Sequence, residues 1–345
     1  MEKILTKKEF PSWIKNLKSF NVYGPVKKDA LWEYERIQDP DKLDLNFKNT
    51  VLSPKKIIFP QREVILDFNH KKKGKPEIQE ALPEETKNVI FGVRPCDARA
   101  LTLTDKVFEE EPGDKYYLRR RHQTVTVGLT CSDPPSENCF CTSLGGSPHS
   151  TEGLDILMTE LNHKYYVHSF TDKGRELMKA ASDVFKNPSE KDKKDLKQVH
   201  KESEKKIKRQ VKELSKITDK LKGMFDSPFW DEESMSCLKC GICTYLCPTC
   251  HCFDISDEVL SSSPLKGQRV RTWDTCQFPY FTMHSSGHNP RPDKSSRLRQ
   301  RILHKFSYFV DNYDDYQCTG CGRCISKCPV DIDIIEVLEK VKDYE

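Results

Sequence analysis

The sequence predicts an α+β chain in three parts: an N-terminal α/β domain with a largely parallel sheet (1–186), a long charged helix (187–226), and an α-helical C-terminal domain built on two cysteine runs (227–345). Three observations predict it. Apolar, strand-like runs at 88–93 and 123–129 are separated by a helical stretch, as in a parallel sheet covered on both faces. Residues 187–223 then change to lysine and glutamate around a sparse apolar stripe. Last come two runs of the form C-x₂-C-x₂-C-x₃-C-P, at Cys237, Cys240, Cys243, Cys247 and Pro248, and at Cys318, Cys321, Cys324, Cys328 and Pro329.

Taken in order, residues 1–20 read as a short amphipathic helix, with Thr6 as N-cap and Phe10, Trp13, Ile14 and Leu17 on one face. Strands and turns follow to about residue 70, at 21–25, 30–34 and 56–68. The strand from Asn88 ends in the turn Arg94-Pro95-Cys96-Asp97 and leads to a helix over Ala98–Phe108. The strand from Gln123 ends at Cys131, and a polar loop over 132–150 carries Cys139 and Cys141. Asn187-Pro188-Ser189 can start the charged helix and Gly223 can end it, with Leu196, Val199, Ile207, Val211, Leu214, Ile217 and Leu221 along its stripe. Because its charges are mixed in sign, this segment reads as a solvated helix rather than a nucleic-acid arm. Between Cys247 and Cys318 lie 70 residues, enough for intervening helices, including a basic one over Ser295–Phe309. A short helix near Ile334–Val341 closes the chain.

Each cysteine run has the spacing that wraps a cubane iron–sulfur cluster: three thiolates in a tight loop, and a fourth beside a proline that ligates the other cluster. Cys237, Cys240, Cys243 and Cys328 are therefore assigned to one [4Fe–4S] centre, and Cys318, Cys321, Cys324 and Cys247 to a second. Zinc motifs group cysteines in twos instead. Of the 15 cysteines, seven lie outside these runs. Cys96 and Cys131 each end a predicted parallel strand, where α/β sheets bind ligands. With Cys139 and Cys141 they form a candidate third iron–sulfur site, with Asp97 as a substitute ligand; zinc or silent buried thiols are the alternatives. Cys250, Cys252 and Cys276 read as packing around a cluster cavity, and His284 and His288 as ordinary loop histidines. The segment Arg291, Lys294, Arg297, Arg299, Arg301, His304 and Lys305 is either a docking face for an acidic partner or a solvated helix face.

The clustering of cysteines argues for a reducing cytoplasm rather than secreted disulfides. The first ten residues have no apolar leader character, no stretch reaches the length of a membrane span, and a formal net charge of +4 predicts no nucleic-acid binding. No G-x-G-x-x-G, phosphate-binding loop or nucleophile elbow follows a predicted strand, so no nicotinamide, flavin or catalytic centre is expected on this chain. It reads as an electron wire between partner proteins. A self-sufficient flavin-binding reductase and a zinc-dependent binding module are the alternatives.

The chain resembles the β subunit of cytoplasmic sulfhydrogenases (hydrogenase/sulfur reductase) and, next to it, the iron–sulfur electron-transfer component of anaerobic sulfite reductase. The resemblance rests on Phe91-Gly-Val-Arg-Pro-Cys-Asp-Ala-Arg-Ala, Cys139-Phe-Cys-Thr-Ser-Leu-Gly-Gly-Ser-Pro and Cys243-Thr-Tyr-Leu-Cys-Pro-Thr-Cys-His-Cys-Phe-Asp. It continues through Trp273-Asp-Thr-Cys, Ser286-Gly-His-Asn-Pro-Arg-Pro and Arg297-Leu-Arg-Gln-Arg-Ile-Leu-His-Lys-Phe. It implies an α-helical-type dicluster ferredoxin domain and a role in relaying electrons between a flavin- and NAD(P)-binding partner and the rest of a complex. At the far end it implies nickel–iron hydrogenase subunits or, in the sulfite reductase branch, a sirohaem subunit.

Overall fold

The computed structural model describes residues 1–70 and 75–344. In chain order its strands are β1 (Glu2–Thr6), β2 (Phe20–Lys28), β3 (Leu31–Arg36), β4 (Arg62–His70), β5 (Glu77–Glu80) and β6 (Lys87–Val93). They continue with β7 (Thr124–Leu129), β8 (Ile156–Leu161), β9 (Lys164–Ser169), β10 (Phe253–Ser262) and β11 (Leu265–Trp273). Seven of them form one sheet in the order β1-β9-β8-β7-β6-β2-β3. β2, β6, β7 and β8 pair in parallel at its centre, while β3 and β9 run antiparallel to their neighbours. The central strands are apolar on both sides because both faces are covered. One face packs on the helix Phe10–Asn16 through Trp13 and Phe91. The other packs on Pro95–Phe108 and Lys115–His122.

Four expectations need correction. Residues 2–6 are an edge strand on β9, not the start of a helix, and Thr6 accepts from the Glu9 amide just ahead of the short helix. Lys55–Ile58 is one helical turn, so the strand expected over 56–68 begins at Arg62. The charged helix is two helices, Glu190–Lys205 and Leu214–Lys222. The first is capped by Ser189 and Asp192 as a capping box. It stops because Ile207 and Val211 leave the solvated stripe to dock on the loop carrying Cys139 and Cys141; the Val211 amide donates to Ser143 Oγ at 2.9 Å. Glu213 turns the chain with φ at +54° before the second helix.

The long link between the cysteine runs is not purely helical. It holds a β-hairpin, β10–β11, beside its helices, and β11 pairs with β4 in a second, antiparallel sheet, β10-β11-β4-β5. Glu63 on β4 stands opposite Arg271 on β11, and the two buried side chains bond directly, with Nε to Oε2 at 3.1 Å and Nη2 to Oε2 at 2.5 Å. Arg120 and Asp114 complete this network. Segments about 200 residues apart are thereby joined by paired charges that satisfy one another away from water. The helices of the C-terminal part share a core that includes Phe140 and Leu144 from the first cysteine-bearing loop. Among the described residues no helix is long and apolar enough to cross a membrane.

Candidate metal centres

Both C-x₂-C-x₂-C-x₃-C-P runs fold alike because each places glycine directly after its second cysteine. Gly241 and Gly322 sit at φ +74° and +71°, a left-handed turn that costs glycine nothing. Each opens a single helical turn, Ile242–Tyr245 and Arg323–Ser326, that carries the third cysteine of its run. Cys237, Cys240, Cys243 and Cys328 line one cavity, with Cys324 and Arg301 in its wall. Cys247 is placed among Cys318, Cys321 and Cys324, each of which responds to its charge. The fold thus brings the fourth cysteine of each run to the first three of the other.

Cys96, Cys131, Cys139 and Cys141 also share one cavity. β6 and β7 are hydrogen-bonded parallel neighbours, so Cys96 and Cys131 emerge at the same carboxyl edge of the sheet. The 139–141 loop closes over them, held by Pro95, Pro134, Pro135 and Pro148 around the cavity. The fifth thiol of that cavity is Cys321. The contact between loops is backbone to backbone: the Phe140 amide donates to Gly320 O at 2.9 Å. A Cβ on Gly320 would lie 2.5 Å from Cys141 N, and one on Gly322 2.6 Å from Asn138 O. The second thiol set thus adjoins both others, Cys324 lining the first cavity and Cys321 the third.

Asp97, the candidate substitute ligand, is committed elsewhere. It receives Arg323 Nη1 at 2.6 Å on Oδ1 and Nη2 at 2.8 Å on Oδ2, with both side chains almost fully buried. Arg323 also reaches Thr50 O and Asn49 Oδ1, so this pair fastens the second run to the first domain.

Burial dominates the thiols' electrostatics. It pushes Cys139, Cys141 and Cys318 up to about 12 and Cys321 up to about 11, and raises Cys96 and Cys131. Unligated, these sulfurs would stay protonated; metal coordination is what makes a buried thiol an anion. The surroundings are built for the anionic form. Arg301, Lys305, Lys55 and Arg94 are all buried, and among the described residues none has a carboxylate within ion-pair distance. Buried cations are expected to be paired, and here Lys55, Lys305 and Arg94 bond neutral oxygens, with Cys250 Sγ beside Arg301 and Cys247 Sγ beside Lys305 as the sulfurs in reach. Among the described residues no three Cys, His, Asp or Glu side chains converge closely enough for a single metal ion. Thiols spread around a cavity suit a multi-iron cluster better than one zinc ion.

Cys250, Cys252 and Cys276 gather behind Cys247. Hydrogen bonding from Cys250 and the nearby Lys305 hold Cys247 well below the usual thiol range. Arg301 Nη1 approaches Cys250 Sγ at 3.8 Å, and Gln277 Nε2 donates to Cys276 Sγ at 3.5 Å. His284 and His288 lie exposed in a turn closed by the His284 amide on His288 O. The basic segment is divided: Arg299 stacks on Phe225 at the surface, while Arg297, Arg301 and Lys305 point inward. Arg301 and Lys305 share a face with Leu298 and Ile302, and that four-residue spacing is the sequence signal that could have found them. Lys55 gave no such signal.

A 4Fe-4S dicluster domain family matches residues 236–332. The chain is 34% identical to Sulfhydrogenase 2 subunit beta of Pyrococcus furiosus over 341 residues, which is 97% of this chain and 96% of that protein. No solved structure matches the chain.

Proposed function

The chain belongs to the family of sulfhydrogenase β subunits, and we propose that it relays electrons between a flavin- and NAD(P)-binding partner and a catalytic subunit of the hydrogenase/sulfur reductase type. In this reading Cys237, Cys240, Cys243 and Cys328 hold one [4Fe–4S] centre, and Cys318, Cys321, Cys324 and Cys247 a second. Cys96, Cys131, Cys139 and Cys141 hold a third. Such clusters carry single electrons and supply no bond chemistry, so turnover belongs to the partners.

The observation that carries the reading is that the second thiol set adjoins both others, through Cys324 and Cys321, which orders the three as a row. The middle of the row is kept from water, with Cys247 and Cys318 buried there. At the first set the row reaches the surface: Cys240 is exposed, and Met235 and Leu238 stand uncovered close by in sequence. That is the chemistry of a docking edge, apolar and beside a thiol.

The expected result for the chain purified alone without oxygen is a brown protein that NADH and NADPH leave unbleached. Addition of the flavoprotein partner should let the same nucleotides bleach it. Bleaching by NAD(P)H with no partner present would contradict the relay and favour a self-sufficient reductase.

A further inference from the structure

We propose that Lys305, supported by Arg301 and Lys55, is the counter-charge that makes the centre anchored by Cys247 the most readily reduced of the row. The inference rests on the cluster reading above and adds a residue-level cause for the order of potentials.

Lys305 lies in a π-helical stretch, His304–Tyr308, inside an otherwise α-helical segment from Lys294 to Tyr313. Single π turns in α-helices recur at functional positions because they re-aim one side chain. Here the ammonium is fully enclosed, and its three donors are used by Cys247 Sγ at 3.4 Å, Thr249 Oγ1 at 2.9 Å and Gln317 O at 2.8 Å. Thr249 Oγ1, which donates to Gln317 O at 2.8 Å, lies 3.2 Å from Cys247 Sγ, so the ammonium of Lys305 is the charged donor brought to that sulfur.

Two further buried cations stand beside it. Arg301 faces Cys243, Cys324, Cys250 and Cys247, and its Nη2 is buried with no partner among the described residues. Lys55 donates to the carbonyls of Cys247 at 3.0 Å and Cys250 at 2.6 Å, and lies 4.1 Å from the centre of the Trp273 ring. The other two sets differ. Arg323, between the second and third sets, is neutralised by Asp97, leaving Arg94 as the third set's uncompensated cation. Arg301 also lines the first set's cavity, but there Cys240 is open to solvent, which screens charge, and among the sulfurs of the described residues the ammonium of Lys305 bonds only that of Cys247.

Each added electron makes a cluster more negative. A fixed cation in a low-dielectric site therefore favours the reduced form more than the oxidised one, and hydrogen bonds to ligating sulfur act in the same direction.

The test is an anaerobic potentiometric titration of the full chain followed by electron paramagnetic resonance, with iron per chain measured on each variant. The signal that Cys247→Ser alters identifies the centre concerned. Lys305→Gln keeps a donor and removes the charge, while Lys305→Arg keeps the charge. With iron content unchanged, the expected result is a lower midpoint for that signal alone in Lys305→Gln, restored towards the wild-type value in Lys305→Arg. An unchanged midpoint in Lys305→Gln overturns the proposal. Iron lost from Lys305→Gln but kept in Lys305→Arg supports the need for charge, whereas iron lost from both marks a packing residue and also overturns it. If the wild-type chain itself lacks a signal sensitive to Cys247→Ser, the failure lies with the cluster reading instead.

Discussion

Asp97→Ala is expected to destabilise the protein by about 3–5 kcal/mol, because it leaves the Arg323 guanidinium buried with no counter-ion. Both side chains are enclosed, and the pair makes two parallel hydrogen bonds, so solvent cannot replace the lost carboxylate. The loss should also be local. Arg323 opens the helical turn that carries Cys324, and its other contacts are on the first domain at Asn49 and Thr50. A fall in the thermal unfolding midpoint, together with partial iron loss, is the expected outcome. Asp97→Asn should cost less, since the amide oxygen can still accept one of the two bonds. An Asp97→Ala protein with unchanged midpoint would show that the two parts are held together by something other than this pair.

The second large effect is expected at Gly320. Its φ of +65° is strained for any residue with a Cβ, at roughly 1–3 kcal/mol. An alanine methyl would also lie 2.5 Å from Cys141 N and 2.6 Å from Phe140 C, both backbone atoms that cannot rotate aside. Overpacking of this kind adds about 1–3 kcal/mol. Relief requires the 139–141 loop to move away from the second run. Gly320→Ala should therefore lose unfolding temperature and also slow electron passage between the second and third centres, read as rapid-mixing reduction that stalls part-way along the row. Gly287→Ala is the control, with comparable backbone strain at φ +83° but open space around it. Equal effects at both positions would mean that backbone strain alone matters and that the loop contact does not.

The two cysteine runs were legible in the sequence because ligand spacing is fixed by the size of what the loop must surround, whatever the rest of the chain does. Cys96 and Cys131 were legible for a different reason: each stands just beyond an apolar strand, and parallel neighbours bring such ends to one edge. The hairpin β10–β11 was not. Phe253–Ser262 is exposed along most of both faces, so it carries no alternation to read, and its support comes through β11 from β4, about 200 residues earlier. The charged segment looked like one helix because Ile207 and Val211 continue its apolar spacing, yet tertiary contact with the cysteine loop claims both. Lys55 and Lys305 were illegible as functional residues for the same kind of reason. A lysine in a charge-rich sequence reads as surface, and only the assembled fold turns these two into a dry pocket of sulfur and carbonyl oxygen.

The number of clusters on the chain decides most directly whether the thiol sets form an electron path. Iron and acid-labile sulfide per chain, measured on wild-type protein kept free of oxygen throughout, should each come to about twelve, one cubane for each thiol set. In a Cys131→Ser variant both should fall towards about eight while the signal tied to Cys247 persists. About eight in the wild type would contradict the third centre and end the row at the second, leaving Cys96, Cys131, Cys139 and Cys141 as thiols of the interface between the two parts of the chain.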